Sequence, residues 1–328
     1  MLSHRELEDD FMNTLLKPGR LSLGDTVGLV APSSPSPDPK AVDRAVEALE
    51  RYGFKPKLGK FARERHGFLA GYDRDRAADI MEMFTDTGVK AIFCFRGGYG
   101  SARLLNLLDY DLIRRNIKIF SGFSDITSLH SAFVKKVGMI SIHAPMWNRG
   151  LQAKDVPEFT RTSFLRTITK AAPSGSITSG LEKRTTSIVC GGMAEGPLIG
   201  GNLSVLCATI GTPFEPGFKD RILFLEDVGE KPYRLDRMLT HLLNAGVLSQ
   251  VAGVAIGVNQ DCEDTEEAKE YRQSSADVFK ERLSQLGVPV VMGLPFGHVE
   301  FNATLPVGAR ARLDADAGDL IILEAAVS

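Results

Sequence analysis

The chain has 328 residues, enough at about 150 residues per domain for two compact units that each bury a core. Lysine and arginine total 39 against 41 aspartates and glutamates, a net charge of −2, so no global positive field exists to gather nucleic acid or an anionic membrane. The four cysteines (Cys94, Cys190, Cys207, Cys262) show no C-x-x-C spacing, which argues against a disulfide framework or a zinc knuckle.

Residues 1–20 mix charge with one short apolar stretch and read as a surface arm without chemistry. Their charged start, MLSHRELEDDF, is not signal-like, and apolar runs such as 287–297 are broken by Gly or Pro short of the about 18 residues a bilayer span needs. A soluble cytoplasmic protein is expected. From Thr26 the pattern turns regular: a strand Thr26–Ala31, a Pro/Ser loop, then a helix with Pro39 at its first position, an apolar face of Val42, Ala45, Val46 and Leu49, and Gly53 as its stop. The same unit returns at 90–108 and at 117–137, where Ile117–Phe120 leads through Ser121–Ser124 into a helix ended by Gly138. Strands alternating with helices predict an α/β protein built on a doubly wound, mainly parallel sheet.

Around 164–186 the hydrophobic period fades, so a nucleophile domain at 21–165 and a linker at 166–186 are expected, followed by a smaller α/β domain at 187–328. Within the latter, Gly196–Asn202 reads as a tight turn opening a helix. Strands follow at 221–225, 251–258 and 289–294, helices at 232–245 and 265–286, and an antiparallel hairpin (309–313 with 318–323) closes the chain.

Three positions converge on one chemistry. Ser124, in Phe120-Ser-Gly-Phe-Ser124-Asp-Ile-Thr127, stands at a strand-to-helix junction, where a sharp turn lifts a hydroxyl above the sheet and aims the N–H of the next residue, Asp125, at the same spot. Ordinary helix capping by Ser124 or Asp125 is the plainer reading, and Ile126 fills the place of the second glycine of the usual elbow. Of the six histidines, His143 and His298 follow apolar strands, where a parallel-sheet enzyme gathers its groups. Glu226 or Asp227, ending a strongly apolar strand, presents a carboxylate on the same rim, able to orient an imidazole. In Arg96-Gly-Gly-Tyr-Gly100, only Gly98-Tyr-Gly100 resembles a dinucleotide fingerprint, and the third glycine is missing. That loop can instead donate a second oxyanion hydrogen bond, with Arg96 or Arg103 available for a substrate carboxylate. No metal-ligand spacing is present, and neither a metal nor a cofactor is expected.

Six segments in this order resemble the LD-carboxypeptidases (muramoyltetrapeptide carboxypeptidases), a family that includes the microcin-immunity peptidases: Val30-Ala-Pro-Ser-Ser-Pro35, Arg96-Gly-Gly-Tyr-Gly100, Gly122-Phe-Ser-Asp-Ile-Thr127, Gly200-Gly-Asn-Leu203, the stretch from Leu225-Glu-Asp-Val-Gly-Glu230 to Arg237, and Gly297-His298. The resemblance, over roughly residues 25–325, implies a Ser-Glu-His peptidase with Ser124 as nucleophile, Glu226 as orienting acid and His298 as base. Position and charge, independently of the resemblance, put the oxyanion N–H groups at Asp125 and Gly98 and substrate contacts at Arg96, Arg103 and Tyr99. The resemblance further implies a homodimer that releases the terminal D-alanine of a muropeptide-like substrate, or in a related branch hydrolyses peptidyl-nucleotide antibiotics. Ala144 stands where the family carries glycine, and the arm is foreign to its core. Two rivals remain in view: a non-catalytic peptide-binding module, and an α/β-hydrolase, whose triad runs in the same chain order but whose second glycine and lack of a terminal hairpin do not match.

Overall fold

The structure is a computed structural model that describes residues 15–183, 185–264 and 272–328. The first part of the chain contributes strands β1 (Thr26–Val30), β2 (Lys55–Leu58), β3 (Val89–Cys94), β4 (Ile119–Gly122) and β5 (Ser141–His143). Then come β6 (Gly175–Ser176), β7 (Ser187–Cys190), β8 (Met193–Asn202), β9 (Ile222–Glu226), β10 (Gly253–Ile256), β11 (Val290–Met292), β12 (Leu305–Val307), β13 (Arg310–Asp314) and β14 (Asp319–Ile322). They form a six-stranded sheet of order β12-β5-β4-β3-β1-β2 and an eight-stranded sheet of order β6-β14-β13-β8-β9-β10-β11-β7. The first is parallel except for β12; in the second, β8 to β11 run parallel and the rest are antiparallel. The expected α/β architecture with a parallel sheet and a terminal hairpin is present.

Both faces of the parallel strands are covered, which explains their near-continuous apolar runs. In β3, Ala91 and Phe93 pack into one core cluster while Ile92 and Cys94 pack into another on the opposite face. The larger cluster runs on through Phe224 and Leu225 of the second sheet to Val327, so the two sheets share one continuous core. Trp147 belongs to it: buried, it stacks on Phe93 at 5.5 Å between ring centroids. No helix among the described residues is long and apolar enough to cross a membrane.

Several local expectations are corrected. Pro39 precedes its helix, which spans Ala41–Arg51 with Lys40 as N-cap. The stretch 164–169 is not linker: the helix Glu158–Thr169 buries Phe164 and Ile168, and Gly175–Ser176 pairs with β14. Gly196–Asn202 is strand rather than turn, and the helix begins only at Leu203, capped by the Asn202 side chain. A Cβ at Gly200 would collide with the Phe224 carbonyl and one at Gly201 with the Thr127 hydroxyl, so this glycine pair lets β8 lie directly against β9 and against the helix that follows Ser124. The helix expected at 265–286 is seen as Ser275–Leu283, and 265–271 lie outside the described residues, as does most of the arm.

A buried histidine beneath the site gives the fold a pH dependence. His130 is wholly enclosed; its Nε2 donates to the Gly122 carbonyl at 2.9 Å and its Nδ1 meets the Ser141 hydroxyl at 2.8 Å. Burial holds its pKa down to about 4, and burial pushes His143 down as well. The unfolded chain therefore takes up protons that the folded one refuses, so stability is full above pH 6.5 and is lost as pH falls towards 4. For His130 this amounts to roughly 3 kcal/mol. Asp79, raised by burial to about 6, acts in the opposite sense between pH 3.8 and 6. Urea denaturation of wild type and His130→Gln at a series of pH values isolates the histidine: the stability difference between them should shrink by about that amount from pH 7 to pH 4. A constant difference would show that His130 does not titrate in this way.

Candidate active site

Strand β4 ends at Gly122, and the chain turns through Ser124 into a short 3-10 turn and the helix Thr127–Ala132. Ser124 has φ +62°, one of three non-glycine residues with positive φ among those described. An L-residue held there costs on the order of 1–3 kcal/mol, which the surrounding bonds must outweigh. They are supplied by the Asp125 carboxylate, whose Oδ2 accepts from the Ser33 hydroxyl at 2.5 Å and the Ser101 backbone N–H at 2.8 Å. Ser101 Oγ in turn donates to the Asp125 carbonyl at 2.5 Å. One buried aspartate thus ties the loop after β1, the end of the Arg96–Gly100 loop and the serine turn together. Because the strain belongs to the side chain's Cβ, Ser124→Gly should melt a few degrees above Ser124→Ala, a gain of about 1 kcal/mol. Equal melting points in calorimetry would mean that the turn is unstrained.

The ring of His298 reaches this hydroxyl from the other sheet. Its Nε2 lies 3.1 Å from Ser124 Oγ and its Nδ1 2.7 Å from Glu226 Oε2. Glu226 ends β9 and is fully buried. The loop carrying His298 closes onto it because residue 297 is glycine at φ +120°; a Cβ there would press on the Val258 carbonyl at 2.8 Å and on Glu226 itself at 3.2 Å. Asn302 fastens the same loop, its Nδ2 donating to the Gly297 carbonyl at 2.6 Å. A ring protonated at Nδ1 donates to the carboxylate and leaves Nε2 free to accept the serine proton.

Of the two carboxylates read on this rim, Glu226 holds the imidazole and Asp227 does not. Asp227 Oδ1 accepts from Asn202 Nδ2 (3.0 Å) and the Val228 N–H (2.8 Å), and Oδ2 from the Ser204 N–H (2.9 Å). Burial raises its pKa against the pull of these donors. Asn202 also donates its backbone N–H to Thr127 Oγ1 at 3.0 Å, so a chain of bonds joins the serine helix to the end of the acid strand. His143, the other strand-end histidine, is buried against Phe123 and Phe224 with no hydrogen-bond partner on either nitrogen among the described residues. Thr127, Ser33 and Ser101 were not singled out from sequence, although each sits inside or beside a quoted motif.

A cavity of about 700 Å³ opens over the serine, lined among others by Gly97, Gly98, Phe123, Ser124, Met146 and His298. Gly97 approaches the turn most closely: a Cβ on it would stand 3.2 Å from Ser124 Cβ and 3.4 Å from the Asp125 nitrogen. Arg96 also lines the cavity. Arg103 does not: its guanidinium is held in a two-pronged pair with Asp73 at 2.8–3.0 Å. Tyr99 is likewise outside the lining, its ring against Phe68 at 5.6 Å. Arg103 and Tyr99 are therefore not placed to meet a substrate at Ser124, the one because Asp73 holds it and the other because its ring lies exposed at the surface.

A two-sheet α/β frame with a serine, an imidazole and a carboxylate in line defines a hydrolase-like site, and sequence comparison identifies the class. The model of the LD-carboxypeptidase N-terminal domain matches residues 27–144 and that of the LD-carboxypeptidase C-terminal domain residues 195–313. The chain belongs to the LD-carboxypeptidase family. It is 39% identical over 312 residues, 95% of each chain, to the probable murein peptide carboxypeptidase of Bacillus subtilis. Among solved structures, a muramoyltetrapeptide carboxypeptidase from Oxalobacter formigenes superposes with a TM-score of 0.79 at 32% identity, over 91% of this chain and 99% of that one. The microcin self-immunity protein MccF, solved with glutamyl sulfamoyl guanosine, does so with a TM-score of 0.85 at 26% identity, over 95% and 100%.

Proposed function

We propose that the chain is a serine carboxypeptidase that hydrolyses an L,D-peptide bond, releasing the terminal D-alanine of a murein tetrapeptide during cytoplasmic wall recycling. The observation that carries this reading is the unbroken hydrogen-bonded line from Ser124 Oγ through His298 to Glu226, at 3.1 and 2.7 Å. Family membership and the 39% identity to a murein peptide carboxypeptidase point to the same substrate class.

In this mechanism Ser124 Oγ attacks the scissile carbonyl carbon while its proton passes to His298 Nε2. Glu226 stabilises the resulting imidazolium through Nδ1, and the N–H groups of Asp125 and Gly98 receive the oxyanion. Collapse breaks the C–N bond as His298 returns the proton to the leaving amine, which departs as the D-amino acid. Water then enters, gives a proton to His298, and adds to the acyl carbon; its collapse restores the Ser124 hydroxyl and frees the shortened peptide. Arg96, facing the cavity, is available to a substrate carboxylate.

Mass spectrometry of products from paired peptides that differ only in a D- or L-alanine terminus tests the reading. Release of alanine from the D-terminal peptide alone, by at least about tenfold in rate, is expected. Equal cleavage of both, or turnover confined to an aminoacyl sulfamoyl adenylate, would overturn it, the latter in favour of the peptidyl-nucleotide branch.

A further inference from the structure

A second cavity, of about 440 Å³, adjoins the first and contains neither Ser124 nor His298. The two share Arg96, Asn148, Arg149 and Ala153 in their linings, so they lie side by side across these residues. Their charge differs. The chamber over the serine has Asp155, Asp261 and Glu300 against Arg96 and Arg149. In the outer chamber, Asp38 is already paired with Arg44, which leaves Arg96, Arg149 and Lys154 without an acidic counterpart in its lining. Among the described residues no carboxylate forms an ion pair with Arg96 or Arg149, and Arg96 donates only to the Pro35 carbonyl. Burial and the neighbouring charges of Arg149 and Arg65 disfavour the charged form of its guanidinium. Like charges gathered around an empty space are a standing cost that an anion would relieve, and the guanidinium fork suits carboxylate and phosphate oxygens.

We propose that this outer chamber is a subsite for an anionic group of the acyl donor, remote from the scissile bond, held by Arg96 and Arg149 with Lys154 at its rim. The proposal rests on the hydrolytic reading above and names the donor that it favours. A terminal alanine fills only a small part of the inner chamber, so the space beyond the shared residues belongs to the part of the substrate that stays acylated on the enzyme. An acidic peptide or a phosphate-bearing donor supplies the same chemistry.

The test uses peptides with one L,D-terminal bond and a glutamate or a glutamine one, two or three residues ahead of it. Wild type should prefer glutamate at one of these positions by on the order of 10- to 100-fold in kcat/KM. In Arg149→Gln, an exposed position where misfolding is not expected, that ratio should fall towards one, chiefly through KM. No preference at any position, or a preference that survives in Arg149→Gln, overturns the subsite. If wild type cleaves none of the peptides, the hydrolytic reading fails by itself; the same pairs are then titrated by the fluorescence of Trp147, the single tryptophan, two residues from Arg149. There, tighter binding of the glutamate peptide sustains the subsite and equal binding overturns it. Inorganic phosphate as competitor assigns the source: inhibition tighter than the glutamate peptide's own affinity, and lost in Arg149→Gln, marks a phosphate-bearing donor.

Discussion

Replacing Ser124 by alanine should lower kcat by on the order of 10⁶-fold while the protein stays folded. The hydroxyl carries no structural duty: among the described residues its hydrogen-bond partner is His298, and the bonds that shape the turn come from the Asp125 carboxylate and the backbone. On the proposed mechanism, removing it takes away the attacking atom and leaves the backbone N–H groups of the turn and the cavity in place. A residual rate within about tenfold of wild type would transfer the nucleophile to another group or to water. Single-turnover kinetics with quantified D-alanine, alongside a melting curve, separates loss of chemistry from loss of fold.

Glu226→Gln should cost on the order of 10⁴-fold in kcat with little change in KM. The amide can turn its NH2 towards His298 Nδ1, which then must accept, so the ring's proton moves to Nε2 and the ring can no longer take one from Ser124. The stability effect has the opposite sign. Glu226 is fully buried with Oε1 unpartnered, and among the described residues its carboxylate makes one hydrogen bond, the 2.7 Å bond to His298. Removing a buried charge that has a single partner should leave the melting temperature at or above that of wild type. A melting temperature lowered by many degrees, with activity lost in proportion, would make Glu226 a structural residue and not an orienting one.

Much of this site can be read in the sequence because its members end apolar strands. Ser124 after β4, Glu226 at the end of β9 and His298 beyond β11 each follow a hydrophobic run closed by a polar residue, the place where parallel strands present their groups. The single rim expected from this pattern is instead the meeting of two, since β4 belongs to the six-stranded sheet and β9 and β11 to the eight-stranded one. The choice between Glu226 and Asp227 was open in the residues alone, since adjacent positions on a strand face opposite ways and periodicity does not say which way is inward. The structure separates them by partner: His298 for one, Asn202 and two backbone N–H groups for the other. Gly196–Asn202 misled for a physical reason. Glycines signal turns, whereas here they allow the close approach of β8 to its neighbours, a tertiary demand invisible in a local window. Arg103 looked as available as Arg96, and only the fold reveals Asp73, thirty residues earlier in the chain, as its partner. The Asp125 hub was hidden for the same cause, because Ser33 lies 92 residues away.

The most direct test of the triad is chemical. Incubation with a fluorophosphonate, followed by peptide mapping in a mass spectrometer, should place one phosphonyl group on Ser124, slowly or not at all in His298→Ala, where the base is gone. Modification of a different residue, or labelling of Ser124 at an undiminished rate without His298, would contradict the assignment.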